Sequence, residues 1–167
     1  MSSLDWLSNL AEIRLLNERL GAINIQALCD DLDSLYGPIV SATSMKYIGF
    51  NNGKRIASAI ALKNPGLPIL DLVKEIVRIN RLTGMGISQV SLPKNSNGTG
   101  TFIVEIRNPI LKKNEGAAGV FLISYWAGAL TSLIGRRLEV KMIKYDKDRD
   151  VTVGELATKI TVPPIEA

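Results

Sequence analysis

Between Lys112-Lys113 and Arg136-Arg137 the chain carries a run, residues 116–135, that contains no charged side chain. A run of that length either crosses a bilayer as a helix or forms the buried centre of a folded domain. Gly, Ala, Ser and Thr fill roughly half of it, and strand-like segments follow at once. The run therefore reads as an apolar core or interface helix, and the rest of the chain has to cover it.

The segments that precede it are helical. Leu4, Leu7, Leu10, Ala11, Ile13 and Leu16 recur mostly at three- and four-residue intervals, which predicts an amphipathic helix over 3–20 ended by Gly21. This unit, 1–22, stands ahead of a domain spanning 23–167. Its slightly acidic polar face suits packing on protein better than on lipid, and Leu7 and Leu10 are its candidate partner-binding residues. Ile25, Leu28, Leu32 and Leu35 carry the helical pattern over 24–36 until Gly37-Pro38 breaks it, and Pro38 is suited to open the next helix. That helix runs to about Leu62, and Gly49 and Gly53, four apart, let another element approach its backbone. Asn64-Pro65-Gly66 stops it. A further helix over 69–82 follows Pro68, with Leu72, Val73, Ile76, Val77 and Ile79 as its buried stripe.

From Gly86 the period changes to two. Strands at 86–92 and 100–107 flank a turn at Asn95-Ser96-Asn97-Gly98, so the Asn97-Gly98-Thr99 sequon reads as part of a polar turn. After the apolar helix a second strand pair is predicted at 138–145 and 157–162, joined through Asp146-Lys147-Asp148-Arg149-Asp150. N-terminal helices followed by ββαββ predict an α+β fold, a four-stranded antiparallel sheet with helices packed on one face.

Composition narrows the chemistry. The 167 residues contain no histidine, and Cys29 is the only cysteine. Histidine acid/base catalysis, Ser-His-Asp and Cys-His pairs, and imidazole or thiolate zinc sites are thereby excluded. With no internal disulfide and an acidic, amphipathic start unlike a signal peptide, a cytoplasmic protein is expected. A net charge of +4 is spread along the chain, and no aromatic RNA-binding motif accompanies it, so nucleic acid is not an expected partner.

Asp146, Asp148 and Asp150 imitate the opening of a calcium loop, but Val151 stands where glycine is required and Ala157 where glutamate is. No metal is expected. Gly84-x-Gly86 and Gly98-x-Gly100 lack the strand–glycine–helix order of a dinucleotide site, and no phosphate loop is present, so no cofactor is expected. Lys74, Arg78 and Arg81, and Arg136, Arg137, Lys141 and Lys144, form two basic clusters. They read as solvated surface, with anionic lipid headgroups as the functional alternative. Cys29 shares a helical face with Ile25 and Leu32 and reads as a buried thiol, while Tyr125 and Trp126 read as core.

Ile48-Gly49-Phe50-Asn51-Asn52-Gly53-Lys54-Arg55-Ile56 resembles the Gly-Phe-x-x-Gly-x-Arg-Leu stretch of the Bet-type small subunits of the TRAPP vesicle-tethering complex. Ile106-Arg107-Asn108-Pro109-Ile110 resembles the strand end and Asn-Pro that follow their hairpin. Tyr125-Trp126-Ala127-Gly128-Ala129-Leu130 and Leu138-Glu139-Val140-Lys141 resemble segments seen both there and in the vinyl-reductase-type, hydrocarbon-binding domains. Two departures stand out. The chain has Gly66 or Leu67 where Bet-type subunits carry an acylated cysteine, and residues 138–163 lack the cysteines common in the vinyl-reductase branch.

This resemblance implies a hydrophobic channel whose candidate lining is Ile48, Phe50, Ile56, Ile60, Val120, Ile123, Trp126 and Leu130. A packed core uses the same residue types, so both readings stand. The function it implies is a non-enzymatic, TRAPP-like interaction subunit that forms homodimers or heterodimers and assembles at or near membranes. The alternative is a module that binds a lipid, acyl chain, hydrocarbon or tetrapyrrole-like molecule. A reductase lacks any cofactor motif.

Overall fold

Helix α1 (Ser3–Lys63) is bent in two at Gly37, whose backbone sits at φ 79° and ψ 167°. Only a residue without a β-carbon adopts that conformation cheaply, and Pro38 restarts the helix at once. The Ser41 hydroxyl donates to the Cys29 carbonyl at 3.5 Å. Along a straight helix these residues would lie about 18 Å apart. The arms 3–36 and 38–63 therefore fold back on one another as a helical hairpin, with the break at the Gly37-Pro38 step where it is expected. The computed structural model describes residues 3–91, 100–107 and 116–158, with side chains from Ile25 onward.

One helix boundary differs from expectation. Gly21 does not end the first helix, which continues unbroken to the bend. A single glycine in a helix interior costs about 1 kcal/mol relative to alanine, less than is needed to stop a long helix. The side chains of Leu7 and Leu10 lie outside the described residues.

Helix α2 (Ile69–Leu82) begins after Pro68 and buries Leu72, Val73 and Ile76, with Val77 and Ile79 packed at the edge of the core. Strands β1 (Ile87–Ser91), β2 (Thr101–Arg107), β3 (Leu138–Asp146) and β4 (Val151–Thr158) form one antiparallel sheet in the order β1-β2-β4-β3. Strand β4 starts at Val151 directly after the charged turn, not at residue 157. Gly154 in its middle interrupts the apolar alternation that sequence reading depends on, yet Thr152, Gly154 and Leu156 all face inward and are buried. In the turn, Asp146 accepts the Arg149 amide at 3.2 Å and Asp150 accepts the Tyr145 hydroxyl at 2.8 Å. Those carboxylates close a turn.

Helix α3 (Ala117–Ile134) is the apolar run, and it lies between the sheet and α1 with 72% of its length buried inside the chain. It is long and apolar enough to cross a membrane, but here its surface is covered by its own fold. Ile123 sits over Gly154 of β4, where a β-carbon would meet the Ile123 Cδ1 at 2.7 Å. On the other side α3 meets the C-terminal arm of α1 backbone to backbone. A β-carbon on Gly49 would lie 2.5 Å from the Phe121 carbonyl oxygen, one on Gly53 would overlap that of Tyr125, and one on Gly128 that of Phe50. The two glycines four apart do admit a neighbouring helix, and that helix is α3.

Candidate ligand groove and partner surface

The C-terminal arm of α1 presents Thr43, Lys46, Tyr47, Phe50, Asn51 and Lys54 at helical spacing along one side. Ser124 and Ala127 of α3, three residues apart, form a second wall. Leu138 and Val140 of β3 form the third. Because β3 is an edge strand, nothing in the sheet closes the far side. The result is an open groove of about 580 Å³, into which Arg137 and Glu139 also project. A smaller cavity of about 230 Å³ shares Thr43, Lys46, Ser124 and Val140 with it and adds Ala42, Val120 and Ile143.

Three cations line this groove, Lys46, Lys54 and Arg137. Among the described residues no carboxylate pairs with any of them, and Glu139, which lies nearby, reaches Lys141 at 3.8 Å. The Arg137 guanidinium stacks over the Phe50 ring, 5.6 Å from its centroid, which holds the charge over an apolar floor. Ser124 is 1% exposed, and its hydroxyl has no hydrogen-bond partner among the described residues. A helical serine usually bonds the carbonyl one turn back, and an unpartnered buried hydroxyl costs about 1–3 kcal/mol.

The eight residues proposed for a channel do not line one cavity. Phe50 lines the 580 Å³ groove and Val120 the adjoining 230 Å³ cavity. Ile56 and Ile60 line a separate cavity of about 400 Å³ between α1 and α2. Ile48 lies on the outer side of its arm, 37% exposed. Ile123, Trp126 and Leu130 are wholly buried and line none of these three cavities. Trp126 donates its indole N–H to the Ser88 hydroxyl at 3.1 Å and meets Tyr125 edge to face, with centroids 6.1 Å apart. Burial pushes the Tyr125 phenol above its ordinary range. One face of α3 thus packs on the sheet while the face carrying Val120, Ser124 and Ala127 borders the groove.

Sequence reasoning missed Lys46, Lys54 and Ser124, and placed Arg137 in a basic surface cluster rather than in a groove. The available signal was the half-polar stripe from Thr43 to Lys54 on an otherwise apolar arm. Two of the three cations of the α2 cluster are neutralised locally, Lys74 on Asp71 at 2.7 Å and Arg78 on Glu75 at 2.6 Å. The hydrogen bond from Arg78 holds the Glu75 carboxyl below its usual range.

A second feature lies at the bend of α1. Leu35, Tyr36, Ile39 and Val40 are 72%, 62%, 82% and 47% exposed, so the tip of the hairpin is an apolar surface turned outward. Cys29 is buried nearby in the contact between the two arms, and desolvation, with Asp30 and Asp33 adding to it, pushes its thiol up to about 11.

No family model and no curated protein matches the chain. Solved structures do. The phenol-responsive sensory domain of the transcription activator PoxR, determined with phenol, superposes with a TM-score of 0.63 at 13% identity, covering 81% of this chain and 74% of that one. A trafficking protein particle complex subunit 3 from Naegleria fowleri, covalently bound to palmitic acid, gives 0.61 at 16% identity, covering 86% and 96%. A vinyl-4-reductase family protein from Methanocaldococcus jannaschii gives 0.54 at 17% identity, covering 91% and 94%. At such identities it is the fold that is shared, and the chain has the α+β fold common to TRAPP subunits, vinyl-4-reductase-type proteins and the PoxR sensory domain.

Proposed function

We propose that the chain is a non-catalytic, TRAPP-like interaction subunit that pairs through the tip of its helical hairpin and works in the cytoplasm at or near membranes. The observation that carries this reading is the outward apolar cluster of Leu35, Tyr36, Ile39 and Val40. Four large apolar side chains concentrated on one projecting tip are costly to leave in water and mark a contact surface. The occupant we assign is a second copy of the chain, because a two-fold axis at the tip sets the same apolar cluster from each copy against itself. The absence of histidine from the whole sequence supports a role without acid/base chemistry.

Native mass spectrometry of wild type and of the Leu35→Asp/Ile39→Asp variant tests it. A wild-type dimer that becomes monomeric in the variant, with an unchanged circular dichroism spectrum, is the expected result. A wild type that is monomeric at the same concentration, or a variant that stays paired, overturns it.

The groove supports a second reading, a module that takes up a small apolar molecule. Two proteins of the same fold carry such molecules, phenol in one and palmitic acid in the other. Covalent acylation of the second kind does not extend to this chain, because Cys29 is buried between the arms of α1 and Gly66 or Leu67 stands at the matching position.

A further inference from the structure

We infer that the groove between α1, α3 and β3 binds a single-chain amphiphilic carboxylate, its anionic head among Lys46, Lys54 and Arg137 and its apolar part against Val120, Val140 and Ile143. This rests on the ligand-module reading and names the ligand class for that site. Three observations meet at one place.

The first is charge. Lys46, Lys54 and Arg137 line the larger cavity against a single carboxylate, Glu139, none of the three is paired with a carboxylate among the described residues, and Arg137 lies over the Phe50 ring at 5.6 Å from its centroid. A guanidinium held in this way suits the two oxygens of a carboxylate. The second is the Ser124 hydroxyl, 1% exposed, without a partner, and lining both cavities at their shared boundary. A ligand oxygen at that boundary accepts its hydrogen bond and removes the cost of leaving it unpaired. The third is shape. The smaller cavity, about 230 Å³, is walled mainly by Ala42, Val120, Val140 and Ile143 and receives an apolar chain; Lys46 lines both cavities, while Lys54 and Arg137 stand on the larger side alone. Sites of this size hold one small molecule rather than a two-chain lipid or a folded peptide.

Isothermal titration with decanoate, below the concentration at which it forms micelles, tests the inference, with decanol and acetate as companions. Decanoate is expected to bind one to one and about tenfold more tightly than decanol, the difference that one charge-assisted hydrogen bond supplies, and acetate to give no measurable heat. Arg137→Gln and Lys54→Gln, both at exposed positions, should each weaken decanoate and leave decanol unchanged, and Ser124→Ala should weaken both. If decanol binds as tightly as decanoate, recognition of the anionic head is wrong while the apolar-ligand reading survives. If neither binds, both readings fall. Decanoate binding that is indifferent to Arg137→Gln and Lys54→Gln places the site elsewhere and overturns the inference.

Discussion

The carbonyl oxygen of Phe50 occupies the space in which any other residue at Gly128 would carry its β-carbon. Tyr125 stands in the same relation to Gly53, so the crossing of α1 and α3 is set by main-chain contact from both sides. Gly128→Ala or Gly53→Ala should each lower stability by about 3 kcal/mol, because backbone has to move rather than a side-chain tip. Gly66→Ala provides the comparison. Gly66 has φ 87° but open space around it, so strain alone should cost about 1–2 kcal/mol there. Urea unfolding midpoints of the three variants check the ranking.

Ser88 and Trp126 tie the first strand to the central helix across 38 residues of sequence. Trp126→Phe removes the indole donor and leaves the buried Ser88 hydroxyl unpaired, at a cost of about 1–3 kcal/mol beyond the lost volume. Adding Ser88→Ala to Trp126→Phe should recover part of that loss. A double-mutant cycle by chemical denaturation reads the coupling, and strictly additive effects would show that the bond contributes nothing.

Gly154 is the floor on which Ile123 rests. Gly154→Ala drives a β-carbon toward the Ile123 Cγ1 at 2.9 Å and should destabilise the fold by about 1–3 kcal/mol. Because the obstacle is a side chain, Ile123→Ala in the same molecule should relieve the clash, so the pair should lose less than the sum of the two single changes.

The Cys29 thiol, raised from its ordinary 9.0 to about 11, holds its proton in the folded state at pH values where the unfolded chain releases it. Iodoacetamide at pH 8 should therefore modify native protein about a hundredfold more slowly than protein unfolded in urea, from the thiolate fraction alone. The sign for stability follows from the upward shift. The contribution of the neutral thiol is complete below pH 9.0 and is lost as pH rises through about 11. Unfolding midpoints of Cys29→Ala should accordingly fall less steeply than those of wild type between those pH values.

Much of the architecture could be read from local chemistry. Gly37-Pro38 announced the bend, Pro68 the start of α2, and the period-two segments the β1–β2 hairpin. The uncharged run was a buried helix because small residues let α1 approach it. What escaped notice depended on contacts distant in sequence. Gly21 looked like a terminus although the helix around it tolerates a glycine, and Gly154 looked like a break in the alternation although Ile123 fills the space above it. The candidate channel failed to converge for a similar reason. Ile123, Trp126 and Val120 are equally apolar in the sequence, and only the orientation of α3 against the sheet decides that the first two are core while the third borders a cavity.

Strand β4 is the last described strand, yet it lies in the interior of the sheet, bonded to β2 on one side and to β3 on the other. During synthesis the two arms of α1, the β1–β2 pair and α3 emerge before the strand that joins the pair to β3. Until residues 151–158 leave the ribosome, β2 and β3 each present an unpaired edge, and α3 lacks Gly154 beneath Ile123. The nascent chain therefore passes through an interval in which its most apolar helix and two open strand edges are exposed together, the combination most prone to intermolecular pairing. The order of strands makes this a protein whose sheet closes only when its last described strand is in place.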